Sequence, residues 1–260
     1  MFTHNLDPIL FSFGFLSIRW YSLSYIFGIL IGWWLGKKII NHILKRSEIK
    51  FKIKDFDDLI TYIVISIIIG GRLGYVIFYN PGYFISHPVE ILKVWEGGMS
   101  FHGALIGLVC HLLIFSHKNK QDITELANLL AFSGPVGIFL GRIANFINGE
   151  LVGRATNGSW GVIYKFDNLP RHPSQLYEAF FEGLVIFTVL FIFSKSELKK
   201  KLNAFSIFLI LYSLARFFVE FFREPDSQLG FIFYNFSMGQ ILTLPMLMFG
   251  CIFLINEKNK

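Results

Sequence analysis

The sequence predicts an all-α, polytopic membrane protein, and its composition and apolar runs support that fold class. Of the 260 residues, 53% are hydrophobic and only 16% are charged, whereas a soluble domain typically carries about 25% charged residues. One soluble core cannot bury the 31 phenylalanines of this chain. The apolar residues also fall in runs of about 20, the length that crosses ~30 Å of hydrocarbon as a helix. Because lipid offers no partner for unpaired backbone groups, these runs are predicted to be helical.

Seven apolar runs are long enough to span a membrane. They are residues 18–36, 59–79, 99–116, 123–141, 176–194, 203–222 and 236–255. We therefore predict seven transmembrane helices within a single membrane domain that covers residues 1–260. We expect no cleavable signal peptide, because no basic n-region precedes the first long run. The apolar stretch within residues 1–17 is too short to span and is predicted to be an interfacial arm.

Lysine and arginine are distributed unequally between the two sides of this arrangement. The loops 37–54, 117–121 and 194–202, together with the C-terminus, carry fifteen of the 24 basic residues. The positive-inside rule places these fifteen in the cytoplasm, so the N-terminus is predicted to be outside and the C-terminus inside. The outer segments are then 1–17, 80–98, 142–175 and 223–235. This distribution accounts for the net charge of +6 without nucleic acid as a partner.

The two cysteines give no sign of a disulfide or a metal site. Cys110 and Cys251 lie far apart in apolar runs, and the sequence contains no Cys-x-x-Cys pair. We interpret both as buried small hydrophobic residues. Neither a metal nor another cofactor is expected.

The most informative stretch places an arginine, two asparagines and a glutamate beside predicted spans. It reads Gly141-Arg142-Ile143-Ala144-Asn145-Phe146-Ile147-Asn148-Gly149-Glu150-Leu151-Val152-Gly153. A charge at membrane depth costs roughly 2.5–3.5 kcal/mol on insertion scales, so such residues indicate a polar ligand such as a lipid headgroup. If the stretch begins as a helix, Arg142, Asn145 and Gly149 share one face. The planar fork of Arg142 suits phosphate; the alternative is a structural ion pair between Arg142 and Glu150.

Two glycine-rich blocks add a histidine and a second arginine. His102 follows Gly97 and Gly98 at the start of the third span, where it can take up a proton near neutral pH. The alternative is a histidine at a helix start whose ring is satisfied by the backbone. Arg72 lies among the glycines of the second span and is predicted to need an anionic partner or a water-filled cavity. Close helix packing is a strong alternative explanation for those glycines.

Residues 171–178 precede the fifth span and resemble a helix start. Pro173 and Ser174 would begin the helix, with Glu178 in its first turn. Capping is the leading interpretation of this block, and a catalytic role for His172 is the alternative. Glu182 lies one turn deeper and needs a partner.

The sixth span carries charges of both signs. Arg216 and Glu220 are four residues apart, so we predict a structural ion pair. Arg223 follows at the outer end of the span and is a second candidate for binding phosphate. Trp20 and Tyr21, at the outer end of the first span, are typical of aromatic-belt anchors.

Taken together, these blocks resemble the bacterial prolipoprotein diacylglyceryl transferase family. The similarity runs from about residue 8 to residue 250. Six blocks in the family's order carry it: Trp20-Tyr21, Gly71-Arg72-Leu73-Gly74-Tyr75, residues 97–103, residues 141–153, residues 171–177 and residues 222–226. The outer segment 154–169 is short, so an elaborate external region that recognises substrate is not expected.

The resemblance implies a seven-helix enzyme of the bacterial inner membrane with its active site toward the periplasm. Such an enzyme moves the diacylglyceryl group of phosphatidylglycerol onto the lipobox cysteine in the signal peptide of a prolipoprotein. The products are a thioether and glycerol phosphate. By motif match, the family's functional positions are Tyr21, His102, Arg142, Asn145, Glu150, Gly153 and Arg223. In this hypothesis His102 is the general base, Arg142 and Arg223 stabilise phosphate, and Arg72 and Gly103 join Asn145 and Gly153 in binding substrate.

Two other classes of protein remain as alternatives. A transporter for an anionic solute would use the same membrane arginines, but the odd number of spans and the lack of internal symmetry argue against it. An intramembrane protease would need paired catalytic residues. Ser100 and His102 are two apart and cannot face each other on one helix, and neither Gly-x-Ser-x-Gly nor His-Glu-x-x-His is present.

Overall fold

The structure is a computed structural model that describes residues 1–14, 16–44, 53–195, 203–225, 230–234 and 236–258. Several of the basic residues used to predict orientation, in segments 45–52, 196–202 and 259–260, lie outside the described residues. Asp226, the last residue of the sixth family-like block, also lies outside them.

Helices dominate the described chain, and their order follows the prediction. They are α1 (Trp20–Leu44), α2 (Ile53–Phe78), α3 (Pro81–Ser86), α4 (Phe101–Asn119), α5 (Ile123–Asn148), α6 (Ser174–Glu178), α7 (Ile186–Lys195), α8 (Ala204–Val219) and α9 (Met238–Lys258). A π-helical segment, Ala179–Val185, joins α6 to α7 without a break. Two short 3₁₀ turns, Pro88–Leu92 and Val94–Glu96, follow α3.

Among the described residues, five helical stretches are long and apolar enough to cross a membrane. They are Trp20–Ile40, Lys54–Phe78, Ile123–Asn148, Ser174–Lys195 and Met238–Asn256. The class of multi-pass helical membrane protein is therefore confirmed. The other two predicted spans correspond to α4, whose histidines lower its hydropathy, and to α8, a shorter apolar helix of 16 residues. Seven spans and the orientation of the termini stay predictions.

Several helix boundaries differ from the predicted ones. α1 continues to Leu44 and α2 begins at Ile53, because a helix continues past the apolar core when its next residues are polar but helix-compatible. α5 continues to Asn148, so residues 142–148 are helical and not part of an irregular outer segment. Local caps define two starts: Ser100 Oγ accepts from Gly103 N at 3.2 Å, and the Asn203 side chain accepts from Phe205 N at 2.8 Å.

Short strands, which the sequence did not predict, lie between the helices. β2 (Ile9–Phe13) and β3 (Leu16–Arg19) form an antiparallel hairpin where an interfacial arm was expected. β1 (Phe2–Thr3), β4 (Val162–Ile163) and β5 (Pro170–Arg171) form a three-stranded sheet in that order, with β1 parallel to β4. β6 (Phe231–Phe233) pairs with β7 (Phe236–Ser237). The three-stranded sheet ties the N-terminus to the segment between α5 and α6.

The chain divides into two compact units, residues 1–36 with 128–260, and residues 37–127. In the second unit, α2 packs against α4 through glycines. A Cβ added at Gly103 would overlap the carbonyl of Gly70 and the Cα of Gly74. Helix packing is thus the role that the structure gives these glycines. The backbones approach closely only because neither helix carries side chains there.

The interpretation of both cysteines as buried residues is wrong. The side chains of Cys110 and Cys251 are exposed. A small hydrophobic residue on an apolar membrane helix needs no protein partner, because lipid tails are as apolar as a protein core.

Candidate active site

Six charged side chains from three parts of the first unit meet in an ionic cluster. They come from α5, from the α6–π segment, and from α8 with the four residues after its end. The members of the ionic cluster are Arg142, Glu178, Glu182, Arg216, Glu220 and Arg223.

Glu178 is the centre of the ionic cluster. Its Oε1 accepts from Arg223 Nη1 at 2.8 Å and from Arg216 Nη1 at 2.9 Å. Its Oε2 lies 2.9 Å from Arg142 Nε, although the geometry of this ion pair falls short of a hydrogen bond. The Glu178 side chain has no exposed surface. Capping of α6 by Glu178 is therefore not what the structure shows, and the helix start at Pro173 has no side-chain cap.

Glu182 and Glu220 complete the balance of charge. Glu182 lies 3.5 Å from Arg142 Nη2 and 3.4 Å from Arg216 Nη1, so the partner it was predicted to need is present. The predicted pair of Arg216 and Glu220 is confirmed at 2.8 Å. Three guanidiniums and three carboxylates cancel in formal charge. An uncompensated buried charge would cost far more than such a neutral network.

Two carboxylates of the α6–π segment face the same arginines. Glu178 precedes the π-helical part and Glu182 lies in its first turn. Side chains four residues apart lie on the same face of a helix, so both carboxylates point to one side. Gly183 in the same segment packs against the backbone of Phe139 on α5. The segment thus aims both carboxylates toward Arg142 on α5 while its backbone lies close to that helix.

Arg142 lies at the accessible side of the ionic cluster. Its side chain is 20% exposed, compared with 9% for Arg223 and none for Glu178. Its partners are Glu178 and Glu182 and not Glu150, so the structure does not support the predicted alternative of an Arg142–Glu150 pair. Glu150 instead accepts from Asn145 Nδ2 at 2.7 Å. Arg142 and Asn145 lie three residues apart on α5, as the spacing predicted, but Gly149 lies beyond the end of α5 with φ of +67° and does not share that helix face.

Tyr21 lies in the same unit and contacts a second tyrosine. The hydroxyl of Tyr25 donates to that of Tyr21 at 3.1 Å, and the two rings are 5.0 Å apart in an edge-to-face arrangement. Tyr25 also lies within electrostatic range of Glu150 and Arg142. The structure therefore brings the tyrosine pair of α1 to the end of α5.

The segment between α5 and α6 is fixed to the end of α8 by backbone contacts. Gly153 forms an isolated bridge with Arg223, and its amide donates to the carbonyl of His172 at 3.0 Å. A Cβ on Gly153 would overlap the carbonyls of His172 and Phe222. Arg154 Nε donates to the carbonyl of Arg223 at 2.9 Å. A glycine is thus required at position 153, where two segments of the backbone pass closely beside Arg223.

Two titratable groups of this outer segment have shifted pKa values. Hydrogen bonds from the backbone of Leu169 and from Arg171 lower the pKa of Asp167 below its ordinary value of 3.8. Burial lowers the pKa of His172 below 6.5. Nδ1 of His172 lies 3.2 Å from the hydroxyl oxygen of Tyr177. It packs among aromatic rings at Tyr177 and Phe222, which favours a structural role over a catalytic one.

The remaining predicted site residues lie in the second unit. His102 is exposed in the first turn of α4, and Gly103 packs against α2. Arg72 was predicted to need an anionic partner or a water-filled cavity. Its guanidinium lines a cavity with Tyr75 and Glu90, but the acceptors of its hydrogen bonds are four backbone carbonyls and not a carboxylate. These belong to Glu90 (2.6 Å), Ile91 (2.9 Å), Gly97 (2.5 Å) and Gly98 (3.2 Å). Carbonyl oxygens accept the hydrogen bonds of a guanidinium without the burial of a second charged group.

Sequence reasoning missed the central role of Glu178 and the wider role of Arg216. A signal was present, because residues 178, 182, 216 and 220 repeat at four-residue spacing within apolar helices and require partners of opposite sign. Tyr25 lies one helical turn from Tyr21 and was also missed. Among the residues that the structure describes, no group of three or more His, Cys, Asp or Glu is placed to hold a metal ion.

The fold and the ionic cluster define a multi-pass membrane protein with a charged site built from helix ends. The chain matches the family described as prolipoprotein diacylglyceryl transferase over residues 8–256. It is 51% identical to the phosphatidylglycerol–prolipoprotein diacylglyceryl transferase of Rickettsia felis over 258 residues, 98% of each chain. The enzymes of that name from Rickettsia typhi and Rickettsia canadensis are each 50% identical, covering 100% and 95% of both chains. The chain therefore belongs to the prolipoprotein diacylglyceryl transferase family.

Proposed function

We propose that this protein transfers the diacylglyceryl group of phosphatidylglycerol to prolipoproteins, the first step of lipoprotein maturation. Membership of the family and the names of its relatives support this reaction. The structural observation that carries the proposal is the joining of Arg142 and Arg223 by one buried carboxylate, that of Glu178. Two guanidiniums held in fixed positions suit the phosphodiester of a lipid headgroup.

The proposed setting is the bacterial inner membrane, crossed seven times. In this arrangement α4 and α8 are the two spans beyond the five long apolar stretches, the N-terminus is periplasmic and the C-terminus cytoplasmic. The charge asymmetry of the loops supports it. Arg142 near the end of α5 and Arg223 after α8 then lie toward the periplasmic leaflet.

The proposed acceptor is the lipobox cysteine in the signal peptide of the prolipoprotein. A bond forms between the cysteine Sγ and the terminal glyceryl carbon, and the bond from that carbon to the phosphate oxygen breaks. Glycerol phosphate leaves with the electron pair. The charge on phosphate grows from one toward two, since the second pKa of a phosphate monoester is about 6. Donors held in a dry site stabilise that growing charge, and Arg142 and Arg223 are the proposed donors.

The thiol must also lose its proton. Transfer from a cysteine with a pKa of about 8.5 to a histidine with a pKa of about 6.5 costs roughly 2.7 kcal/mol. Nearby guanidiniums stabilise the thiolate and reduce this cost. His102 is the proposed general base, in keeping with its match to the family's motif.

The other site residues are assigned to binding and orientation. The pair of Asn145 and Glu150 is proposed to hold the glycerol hydroxyls of the headgroup, and Tyr21 to donate a hydrogen bond. Gly153 lets two segments of the backbone pass closely, and this close contact positions Arg223. For Arg72 and Gly103, the contacts within their own unit support scaffolding roles better than direct substrate binding.

The test is incubation of the purified protein with phosphatidylglycerol vesicles and a lipobox peptide, followed by mass spectrometry. A mass gain of one diacylglyceryl group is expected. A peptide with serine in place of cysteine, and vesicles of phosphatidylcholine alone, are the controls and should show no gain. A shortened peptide would favour a protease, and an unchanged peptide would leave the transporter as the better explanation.

A further inference from the structure

Near the N-terminus, His4 is buried and joined to the end of α5. The side chain is 5% exposed, and its Nε2 lies 2.7 Å from the carbonyl of Phe146. A carbonyl only accepts, so Nε2 carries a proton and donates. Phe146 is among the last residues of α5, whose carbonyls lack partners within the helix. The same carbonyl accepts from the Gly149 amide at 3.0 Å, so His4 adds a second hydrogen bond to this helix end, immediately before the turn that carries Glu150.

A chain of contacts continues from His4 to the far side of that turn. The His4 ring stacks on Tyr164 at 5.1 Å, and the hydroxyl of Tyr164 donates to Gln175 Oε1 at 3.3 Å. Gln175 Nε2 donates to the carbonyl of Glu150 at 2.6 Å. Burial raises the pKa of Tyr164 above its ordinary value of 10.0, so its hydroxyl remains a donor. Asn145 closes the circuit through its side-chain bond to Glu150.

The turn inside this circuit needs outside support. Gly149 has φ of +67° and Leu151 has φ of +55°. For leucine the left-handed region is costly, and such conformations persist only where the surroundings fix them. A Cβ at Gly149 would lie 3.2 Å from His4 Cε1. His4 thus packs directly on the residue whose backbone turns the chain toward Glu150.

We propose that His4 is a positioning residue for the Asn145–Glu150 pair, acting through the carbonyl of Phe146 and the packing of Tyr164. This circuit, named the His4 circuit, consists of His4, Phe146, Tyr164, Gln175, Glu150 and Asn145. The proposal rests on the proposed function, in which Asn145 and Glu150 hold the headgroup of phosphatidylglycerol. His4 itself contacts no substrate. The His4 amide, immediately after β1, donates to the Ile163 carbonyl at 2.8 Å and holds the residue in place.

Two substitutions separate the hydrogen bond from the ring. His4→Phe keeps an aromatic ring against Tyr164 but removes the donor, whereas His4→Gln restores a donor close to the position of Nε2. Loss of a binding contact that acts equally on bound substrate and transition state raises KM and leaves kcat unchanged. His4→Phe is expected to raise the KM for phosphatidylglycerol roughly two- to tenfold, the effect of one hydrogen bond. His4→Gln is expected to return it toward wild type.

For each variant, the KM for the lipobox peptide and the Tm in detergent are measured together with the KM for phosphatidylglycerol. The peptide KM should stay unchanged in His4→Phe. Tyr164→Phe, which removes only the hydroxyl bond to Gln175, should shift the same KM in the same direction and keeps the test open if His4→Phe folds poorly. His117→Phe, an exposed histidine at the end of α4, is the matched control and should alter neither KM.

The outcomes separate this proposal from the proposed function. A wild-type protein that transfers no lipid contradicts the function itself. An active wild type with an unchanged phosphatidylglycerol KM in both His4→Phe and Tyr164→Phe overturns the positioning role. So does a lower Tm with reduced kcat that His4→Gln fails to rescue, because that pattern belongs to a residue of structural importance alone.

Discussion

At the scale of single residues, Glu178 faces three guanidiniums with two oxygens and has no exposed surface. An arginine that binds phosphate must hold its fork still before the substrate arrives, or part of the binding energy is lost in ordering it. A carboxylate shared by Arg142 and Arg223 fixes both forks relative to each other. It also lowers their free positive charge, which limits how tightly the product phosphate is held.

Glu178→Gln tests this arrangement. The substitution leaves three guanidiniums with two carboxylates, and loss of one partner from a buried ion pair costs about 3–5 kcal/mol. The Tm in detergent should fall by roughly 6 °C or more, and transfer should fall with it. Glu224→Gln is the control, because its pair with Arg171 at 3.2 Å is exposed. Equal Tm values for Glu178→Gln and wild type would contradict the central role of this carboxylate.

His102→Gln tests the proposed base. Glutamine keeps the size and hydrogen-bonding capacity of the side chain but cannot take up a proton near neutral pH. We expect kcat at pH 7 to fall by about 10²–10⁴. The rate should recover as pH rises toward the cysteine pKa of about 8.5, where the thiolate forms without a base. Arg142→Ala should stay impaired at every pH. If His102→Gln kept a near wild-type rate at pH 7 while Arg142→Ala did not, another group would be the base.

At the scale of secondary-structure elements, two local departures from ordinary helix packing stand out. The π segment at Ala179–Val185 directly follows Glu178, carries Glu182 in its first turn, and packs closely against α5 at Gly183. The crossing of α2 and α4 brings two backbones together at Gly70 and Gly103. Each departure lies beside a functional side chain. Glu178 immediately precedes the π segment, and His102 is next to Gly103 at the helix crossing. Sequence periodicity alone reveals neither departure.

Gly103→Ala separates packing from substrate binding at that crossing. The added methyl group would overlap the carbonyl of Gly70, and overpacking of this kind costs roughly 1–3 kcal/mol. The Tm should therefore fall while the KM for phosphatidylglycerol stays unchanged. Gly134→Ala on α5 is the matched control, because a Cβ there meets no atom within 4 Å. An unchanged Tm with a raised KM would restore the predicted substrate-binding role of Gly103.

At the scale of the whole molecule, the features that could be predicted from the sequence are those that depend on residues close together in the chain. The order of the helices, the three-residue spacing of Arg142 and Asn145 on α5, and the Arg216–Glu220 pair depend on residues within one or two turns, and the structure contains all of them. The partners of Arg142 and Arg72 come from other elements, and no local spacing encodes them. The strands are two to five residues long, too short to produce a pattern. His4 has no neighbour in sequence that marks it.

The orientation and the crossings up to α5 can be tested together by labelling single cysteines. In a protein with alanine at 110 and 251, Ser159→Cys lies after α5 and Lys118→Cys at the end of α4, both at exposed positions. With seven spans and an outer N-terminus, a membrane-impermeant maleimide should label Ser159→Cys in intact spheroplasts, and Lys118→Cys only after permeabilisation. The parent without cysteines should stay unlabelled. If α4 did not cross, Lys118 would remain on the side of α3, and labelling in intact spheroplasts would move to Lys118→Cys. Because the side of each loop depends on the side of the N-terminus and on every preceding span, the exchanged pattern would contradict either the outer N-terminus or a crossing α4, and the expected pattern supports both together.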